Sequence, residues 1–398
     1  MQLRDRSKIQ KPEYYCACLQ DAKVEPKTFK QAMEGPESDL WKAAMEEELT
    51  SLEVMKVWEF TELPPGKTAI GSKWVFKIKY MADGTVERYK ARLVAQGFTQ
   101  KPGVDYEETY SPVISLPAIR LLFKLAVNNN WIIHQMDVKT AYLNGELKEE
   151  IYMKCPDGIT GAEGKVCRLL RSLYGLKQSG RSWYEKLDEK LLEGGMNKCK
   201  SEPCIYYRRC NENVKIILVY VDDLILISSS EECMVEMKEM LRRNFDMKDL
   251  GELNYILGIE VKKGDHSLRL NQVKYIKEIL SEFNMSDCKS VSTPMETNYN
   301  IGKQHCPKSD EERKEMEKVP YRRLVGKLMY LSQATRPDLG FAVSKLGQFS
   351  SNPGKVHWMA AKRELRYLKG TMNYEFIIDK GDDDLVGYSD SDWAGSTD

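Results

Sequence analysis

The sequence predicts an α+β fold organised around an antiparallel sheet, and three observations predict it. Strand and helix patterns follow one another irregularly, without the strand–helix alternation that a parallel sheet demands. Residues 73–97 and 215–228 read as strand–turn–strand hairpins, the first closing through Asp83-Gly84. The 398 residues are 42% hydrophobic and 10% aromatic, enough apolar side chain to bury a sizeable core in two or three domains. This composition excludes collagen, coiled-coil and low-complexity classes, and no fixed-period repeat points to a solenoid or propeller. Sixty basic and sixty acidic side chains give a formal charge of zero, so only local charge can indicate a partner.

Residues 1–38 are polar, carry Pro12, Pro26 and Pro36, and read as a linker or tail. Ser38 is a fitting N-cap for an acidic amphipathic helix with Trp41, Met45, Leu49 and Leu52 on one face. Alternating strands follow at 73–80 and 88–97, then a helix over 116–130 and a strand over 131–138 that enters the interior. A helix over 181–194 precedes the apolar hairpin KIILVYVDDLILIS, and a helix over 231–243 precedes the strands LNYILGIEV and SLRLN. Residues 289–320 are polar and interrupted by Pro294, Pro307 and Pro320, a candidate linker. Helical patterns at 321–333 and 355–370 lead to a last strand, DLVGYSDSDW.

The longest apolar stretch, residues 216–221, stops at Asp222-Asp223, far short of the roughly 20 residues that span a bilayer, so no membrane partner is expected. The opening MQLRDRSKIQ is charged and does not read as a secretory signal, which points to a reducing, cytoplasmic setting and free thiols. The ten cysteines contain no CxxC pair; a zinc site on Cys199, Cys204 and Cys210 lacks the paired spacing such sites usually show.

Chemistry concentrates on three carboxylates. Asp222 and Asp223 lie between Ile216-Ile217-Leu218-Val219-Tyr220-Val221 and Leu224-Ile225-Leu226-Ile227, apolar on both faces of both strands. Ionised groups at the tip of a buried hairpin are costly unless paired or metal-bound, and a cation resolves the cost. As a plain exposed turn, the same pair of residues would be unremarkable in composition. Asp137 closes the strand WIIHQMDV just before a turn, where it could equally be a cap. Three carboxylates from two strands can together hold two Mg²⁺ ions, which prefer hard oxygen ligands and phosphate oxygens.

These residues carry a resemblance. Tyr220-Val221-Asp222-Asp223 resembles the YxDD box of reverse transcriptases, and QMDVKTAYL, residues 135–143, resembles their first catalytic-aspartate motif. The surrounding blocks WKAAMEEELTSL, GSKWVFKIKY, RYKARLVAQGFTQ, DYEETYSPV, SLYGLKQ, ATRPDLGFAVSKL and YSDSDWAG, in this order, are similar to the polymerase region of copia-type retrotransposon Pol polyproteins. The likeness runs from about Trp41 to the last residue.

The resemblance implies a right-hand polymerase with fingers, a palm with an antiparallel sheet, and a thumb or connection. Fingers and palm would occupy 39–288, a linker 289–320, a helical thumb or connection 321–384, and the first strand of an RNase H-like domain 385–398. It implies RNA-directed DNA synthesis: two Mg²⁺ ions, for which Mn²⁺ can substitute, held by Asp137 and Asp222 with Asp223 in support, joining dNTPs to a primer 3′-hydroxyl on an RNA or DNA template. Tyr142 is similar to the aromatic beneath the incoming sugar that excludes a ribose 2′-hydroxyl. Gly175 resembles the point where backbone approaches the nascent base pair, with Tyr174 beside it and Lys177 near the template. Leu257-Gly258 resembles the primer grip. Ser179-Gly180 stand where the family pattern has Ala-Pro, and losing that proline loosens the turn into the next helix.

Local charge agrees with a nucleic-acid partner. Residues 67–124 hold ten Lys and Arg against five Asp and Glu. Lys90 and Arg92 alternate with Ala91 and Leu93, so both project from one strand face that could grip a triphosphate, with Arg88 competing for the task and a solvated face as the alternative. Residues 318–369 hold eleven basic side chains against two acidic ones, and Lys362, Arg366 and Lys369 flank the buried stripe of their helix, which predicts salt-sensitive template–primer binding. Asp390 resembles the first metal-binding carboxylate of RNase H; with only that domain's opening strand, no RNase H activity is expected. The family also implies Gag, protease and integrase segments outside this chain and a virus-like particle as setting. Two rivals share these features: an inactive nucleic-acid-binding remnant, and a different two-metal enzyme such as a nuclease.

Overall fold

The computed structural model describes residues 25–80, 85–159, 164–296, 301–381 and 386–389. In chain order the first elements are α1 (Phe29–Glu34), α2 (Ser38–Val54), β1 (Trp58–Thr61), β2 (Ala69–Ile70), β3 (Ser72–Tyr80) and β4 (Val86–Ala95). Next come α3 (Leu116–Asn129), β5 (Ile132–Val138), β6 (Glu146–Lys154), β7 (Val166–Arg171) and α4 (Ser179–Glu193). β8 (Asn197–Lys198), β9 (Ile205–Cys210), β10 (Asn213–Tyr220), β11 (Asp223–Ser228), α5 (Glu231–Asn244) and β12 (Met247–Glu252) follow. The rest are β13 (Tyr255–Ile256), β14 (Ile259–Lys263), β15 (Ser267–Asn271), α6 (Val273–Glu282), α7 (Asp310–Glu317), α8 (Tyr321–Ala334), α9 (Gly340–Gly347), α10 (Lys355–Gly370) and β16 (Phe376–Asp379).

The chain divides into two compact units, residues 1–111 with 140–189, and residues 112–139 with 190–398. In the first unit, β3 and β4 pair antiparallel. Trp74, Phe76, Ile78, Ala91 and Leu93 are buried on one face of this ribbon, where α2 contributes Trp41, Met45 and Leu52 to the same core. The opposite face carries the intervening charged residues, the period-two pattern of a half-buried strand. A second sheet, β1-β7-β6-β2, is antiparallel except for β2, which runs parallel to β6.

The second unit holds a six-stranded sheet in the order β12-β5-β11-β10-β9-β8, every pair antiparallel. Residues 216–219 of β10 and 224–228 of β11 are buried, as their apolar runs require. α5 packs against both; Ser230 caps it by accepting from the Cys233 amide. β13-β14-β15-β16 form a second antiparallel sheet. α6, α8, α9 and α10 share one core through Ile279, Leu328, Leu331, Leu346 and Leu365.

Several expectations change. The segment 1–38 contains α1, and Glu37, not Ser38, precedes α2. The expected linker 289–320 contains α7, its Ile301 and Met316 are buried, and it lies within the second compact unit. Val386 to Ser389 form no strand, and the rest of the expected terminal strand, with Asp390, lies outside the described residues, as does the Asp83-Gly84 turn. None of the eight described cysteines forms a disulfide, and no described helix is long and apolar enough to cross a membrane.

Candidate active site

β11 pairs with β5 so that Asp223 lies directly opposite Asp137. Directly opposed residues of an antiparallel pair point to the same face, with Cβ atoms roughly 5 Å apart. Asp222 sits one residue earlier in the two-residue turn Val221-Asp222 that joins the paired Tyr220 and Asp223. Its carbonyl accepts from the Val138 amide at 2.9 Å, which ties the turn to the end of β5. The site is thus three strand-end aspartates brought from positions 85 residues apart by register alone.

Two further features came only with the structure. Val221 has φ 58°, a left-handed conformation that a β-branched residue adopts at a cost of about 1–3 kcal/mol. Strain of this kind persists only where the surroundings hold it, here the Val138–Asp222 bond and the paired strands. Gln135, buried and two residues before Asp137, donates from Nε2 to Asp223 Oδ1 at 3.0 Å. Burial pushes the Asp223 carboxyl above the usual range and Asp222 adds to that, while the Gln135 amide opposes both. The period of two could have revealed Gln135, since positions i and i+2 share a strand face. On the other side of β5, Lys248 of β12 pairs with Asp137.

The first unit gathers other expected residues. The Arg92 guanidinium lies 4.6 Å from the Tyr174 ring centroid, and Tyr142 meets Tyr174 edge-on at 5.1 Å. Lys90 and Arg92 do share a face, opposite Lys77 and Val75 on β3, and Lys73, Lys79 and Arg88 extend it. Burial lowers the Lys90 pKa, and Arg92 and Arg88 lower it further. A bound polyanion would reverse that penalty. One charge on this face is met internally: Lys77 pairs with Glu25 at 3.2 Å.

Gly175 has φ 95°. A Cβ there would stand 2.2 Å from the Ala95 carbonyl oxygen, and a Cβ on Gly97 would stand 2.1 Å from the Gly175 oxygen. The close approach that requires glycine is therefore to β4, sealed by the Ala95 amide donating to the Tyr174 carbonyl at 2.7 Å. Gly175→Ala is expected to destabilise this unit by about 2 kcal/mol or more; an unchanged denaturant midpoint would show that the loop has room. Lys177 is exposed and its amide donates to Gln100 Oε1. The turn at Ser179-Gly180 is tied rather than loose, because Ser179 Oγ donates to the Leu173 carbonyl and Gln178 donates to the Asp105 carbonyl.

Leu257 and Gly258 form the turn of the β13–β14 hairpin. Lys362 stands over the Trp358 ring at 5.8 Å. Arg366 donates to the Lys289 carbonyl and Lys369 to that of Ser286, so these two cations hold residues 286–289 against α10 and do not form the open ridge that the helical pattern suggests.

The carboxylates suit a hard divalent cation. They supply hard oxygens on one sheet end, and their mutual repulsion and desolvation are offset by a cation. Among the described residues no group of three or more His, Cys, Asp or Glu is placed to hold a metal ion; an ion that takes one or two carboxylates and completes its shell with water and phosphate oxygens needs no such group.

Paired carboxylates close one antiparallel sheet, and basic side chains line a strand face of the other unit. The family model for reverse transcriptase (RNA-dependent DNA polymerase) matches residues 55–297, and the chain belongs to this family. It is 43% identical over 379 residues to the Retrovirus-related Pol polyprotein from transposon TNT 1-94 of Nicotiana tabacum, across 94% of this chain and 28% of that one. It is 38% identical over 404 residues to that from transposon RE2 of Arabidopsis thaliana, across 100% and 27%. The chain spans little more than a quarter of the length of these curated relatives. A foamy viral protease-reverse transcriptase in complex with double-stranded DNA overlaps with a TM-score of 0.37 and 11% identity, over 84% of this chain and 48% of that one, too loosely to add to the family match.

Proposed function

We propose that this chain extends a primer by Mg²⁺-dependent addition of deoxynucleotides on an RNA or DNA template, with Asp137 and Asp222 as metal ligands and Asp223 in support. The pairing of Asp223 with Asp137, with Asp222 at the adjoining turn, carries the reading. Magnesium, when bound, supplies positive charge to the primer 3′-hydroxyl and to the phosphates during in-line displacement. The residues' own tasks are simpler. Asp137 and Asp222 present oxygens from a rigid strand end, and Gln135 keeps the Asp223 carboxylate oriented.

Lys90 and Arg92 bind the triphosphate, with Arg92 braced on Tyr174. Tyr142, itself braced edge-on by Tyr174, is a stiff wall against a ribose 2′-hydroxyl. Tyr142→Ala is expected to lower the preference for dNTP over rNTP about tenfold or more, read from single-nucleotide incorporation; an unaltered preference removes Tyr142 from this role. Leu257-Gly258 supports the primer end, and Lys177 and Lys362 meet template–primer phosphates, which makes binding weaken as salt rises. The test is primer extension on poly(rA)/oligo(dT) with Mg²⁺. Extension supports the reading, binding without extension favours an inactive remnant, and loss of labelled primer favours a nuclease. The remaining segments of a Pol polyprotein are the proposed partners, inside a cytoplasmic particle.

A further inference from the structure

The β13–β14 hairpin turns through Leu257 at φ 51° and Gly258 at φ 77°, between the paired Ile256 and Ile259. Two left-handed central residues make a type I′ turn, whose first position favours Asn, Asp or Gly; leucine there costs about 1 kcal/mol or more. An outside group is therefore needed to hold the turn. Tyr330 of α8 supplies one, because its hydroxyl donates to the Leu257 carbonyl from 73 residues away. A Cβ on Gly258 would stand 3.8 Å from the same oxygen, in ordinary contact.

The phenol is itself locked. Tyr275 of α6 packs edge-on against it at 5.4 Å, and the Lys327 ammonium lies 5.3 Å from the Tyr275 ring centroid. Burial, then Tyr220, Tyr275 and Tyr255, push the Tyr330 hydroxyl up to about 12, so it stays a donor through the working pH range. Tyr220 is the residue that enters the Val221-Asp222 turn. Tyr330 is thus bonded to the β13–β14 turn, and Tyr220 of the aspartate hairpin bears on its hydroxyl.

We propose that Tyr330 is a positioning residue, which fixes the Leu257-Gly258 turn to α8 and so sets where the primer end is held beside the aspartates. This rests on the polymerase reading above. Tyr330→Phe deletes one hydroxyl and keeps the ring. It is expected to raise the KM for poly(rA)/oligo(dT) about fivefold, the effect of one lost hydrogen bond, with kcat within about twofold, and to speed amide exchange at residues 257–259. Tyr275→Phe, which removes a neighbouring hydroxyl, is expected to change neither. If Tyr330→Phe leaves KM and exchange at wild-type values, or if both variants lower kcat and thermal stability alike, the inference is overturned. Should wild type itself fail to extend the primer, the polymerase reading falls, and the exchange measurement still decides whether Tyr330 holds the turn.

Discussion

Asp222→Asn is expected to lower primer extension by roughly 10²–10³-fold, the scale seen when a single charge-stabilising group is lost from a reacting centre. Asparagine keeps the volume and one oxygen of the side chain but removes the charge that attracts a divalent cation. Folding should survive, because Asp222 is half-exposed in a turn held by its backbone carbonyl, which the substitution leaves in place. The like charge beside Asp223 also disappears, so the thermal midpoint should be equal or slightly higher. Asp310→Asn, at the exposed start of α7, is the control and should extend normally. Retention of more than about a tenth of wild-type extension by Asp222→Asn, at unchanged stability, would falsify the metal-ligand assignment.

Glu364→Gln is expected to flatten the dependence of stability on pH. Glu364 is fully buried on α10, and neither of its carboxylate oxygens has a hydrogen-bond partner. Arg336, one of the two cations whose charge reaches Glu364, is committed to Asp338 through two bonds, at 3.0 and 2.7 Å, and to Thr371. Burial, and secondarily Asp338, push Glu364 up to about 8, with Arg363 and Arg336 opposing. The folded protein then holds a proton that the unfolded chain releases near pH 4.5. Stability from this group is complete below that value and is lost as pH rises through about 8, at about 1.4 kcal/mol per pH unit, or 4–5 kcal/mol across the window. Between pH 5 and 7 the wild type should lose about 2–3 kcal/mol that Glu364→Gln keeps. Parallel slopes for both proteins in denaturant unfolding would show the carboxyl to be ionised when folded.

What could be read in advance was local. The hairpins β3–β4 and β10–β11, the strand β5 and the helices α3, α5, α8 and α10 each repeat apolar residues at a period that a single element reveals. Short or edge strands such as β2, β8 and β16 carry too few residues for a period and exist because a neighbour supplies their hydrogen bonds. The aspartates were found from their place at the ends of apolar runs. Gln135 was legible only as a residue on the same strand face as Asp137; that it reaches Asp223 across 88 residues, as Tyr330 reaches Leu257 across 73, was not, because no pattern in one element speaks of another. Gly175 shows the same limit: the need for a glycine was legible, yet the atom that imposes it, the Ala95 carbonyl, belongs to a distant strand.

By itself, the sequence determined which residues carry charge at the ends of which strands, since chemistry and alternation are properties of neighbours in the chain. The tertiary structure decided that Asp137 and Asp223 stand opposite one another, that Arg366 and Lys369 are spent on backbone carbonyls, and that Glu364 is sealed without a partner. Each of those depends on register and burial, which arise only when elements remote in sequence pack together.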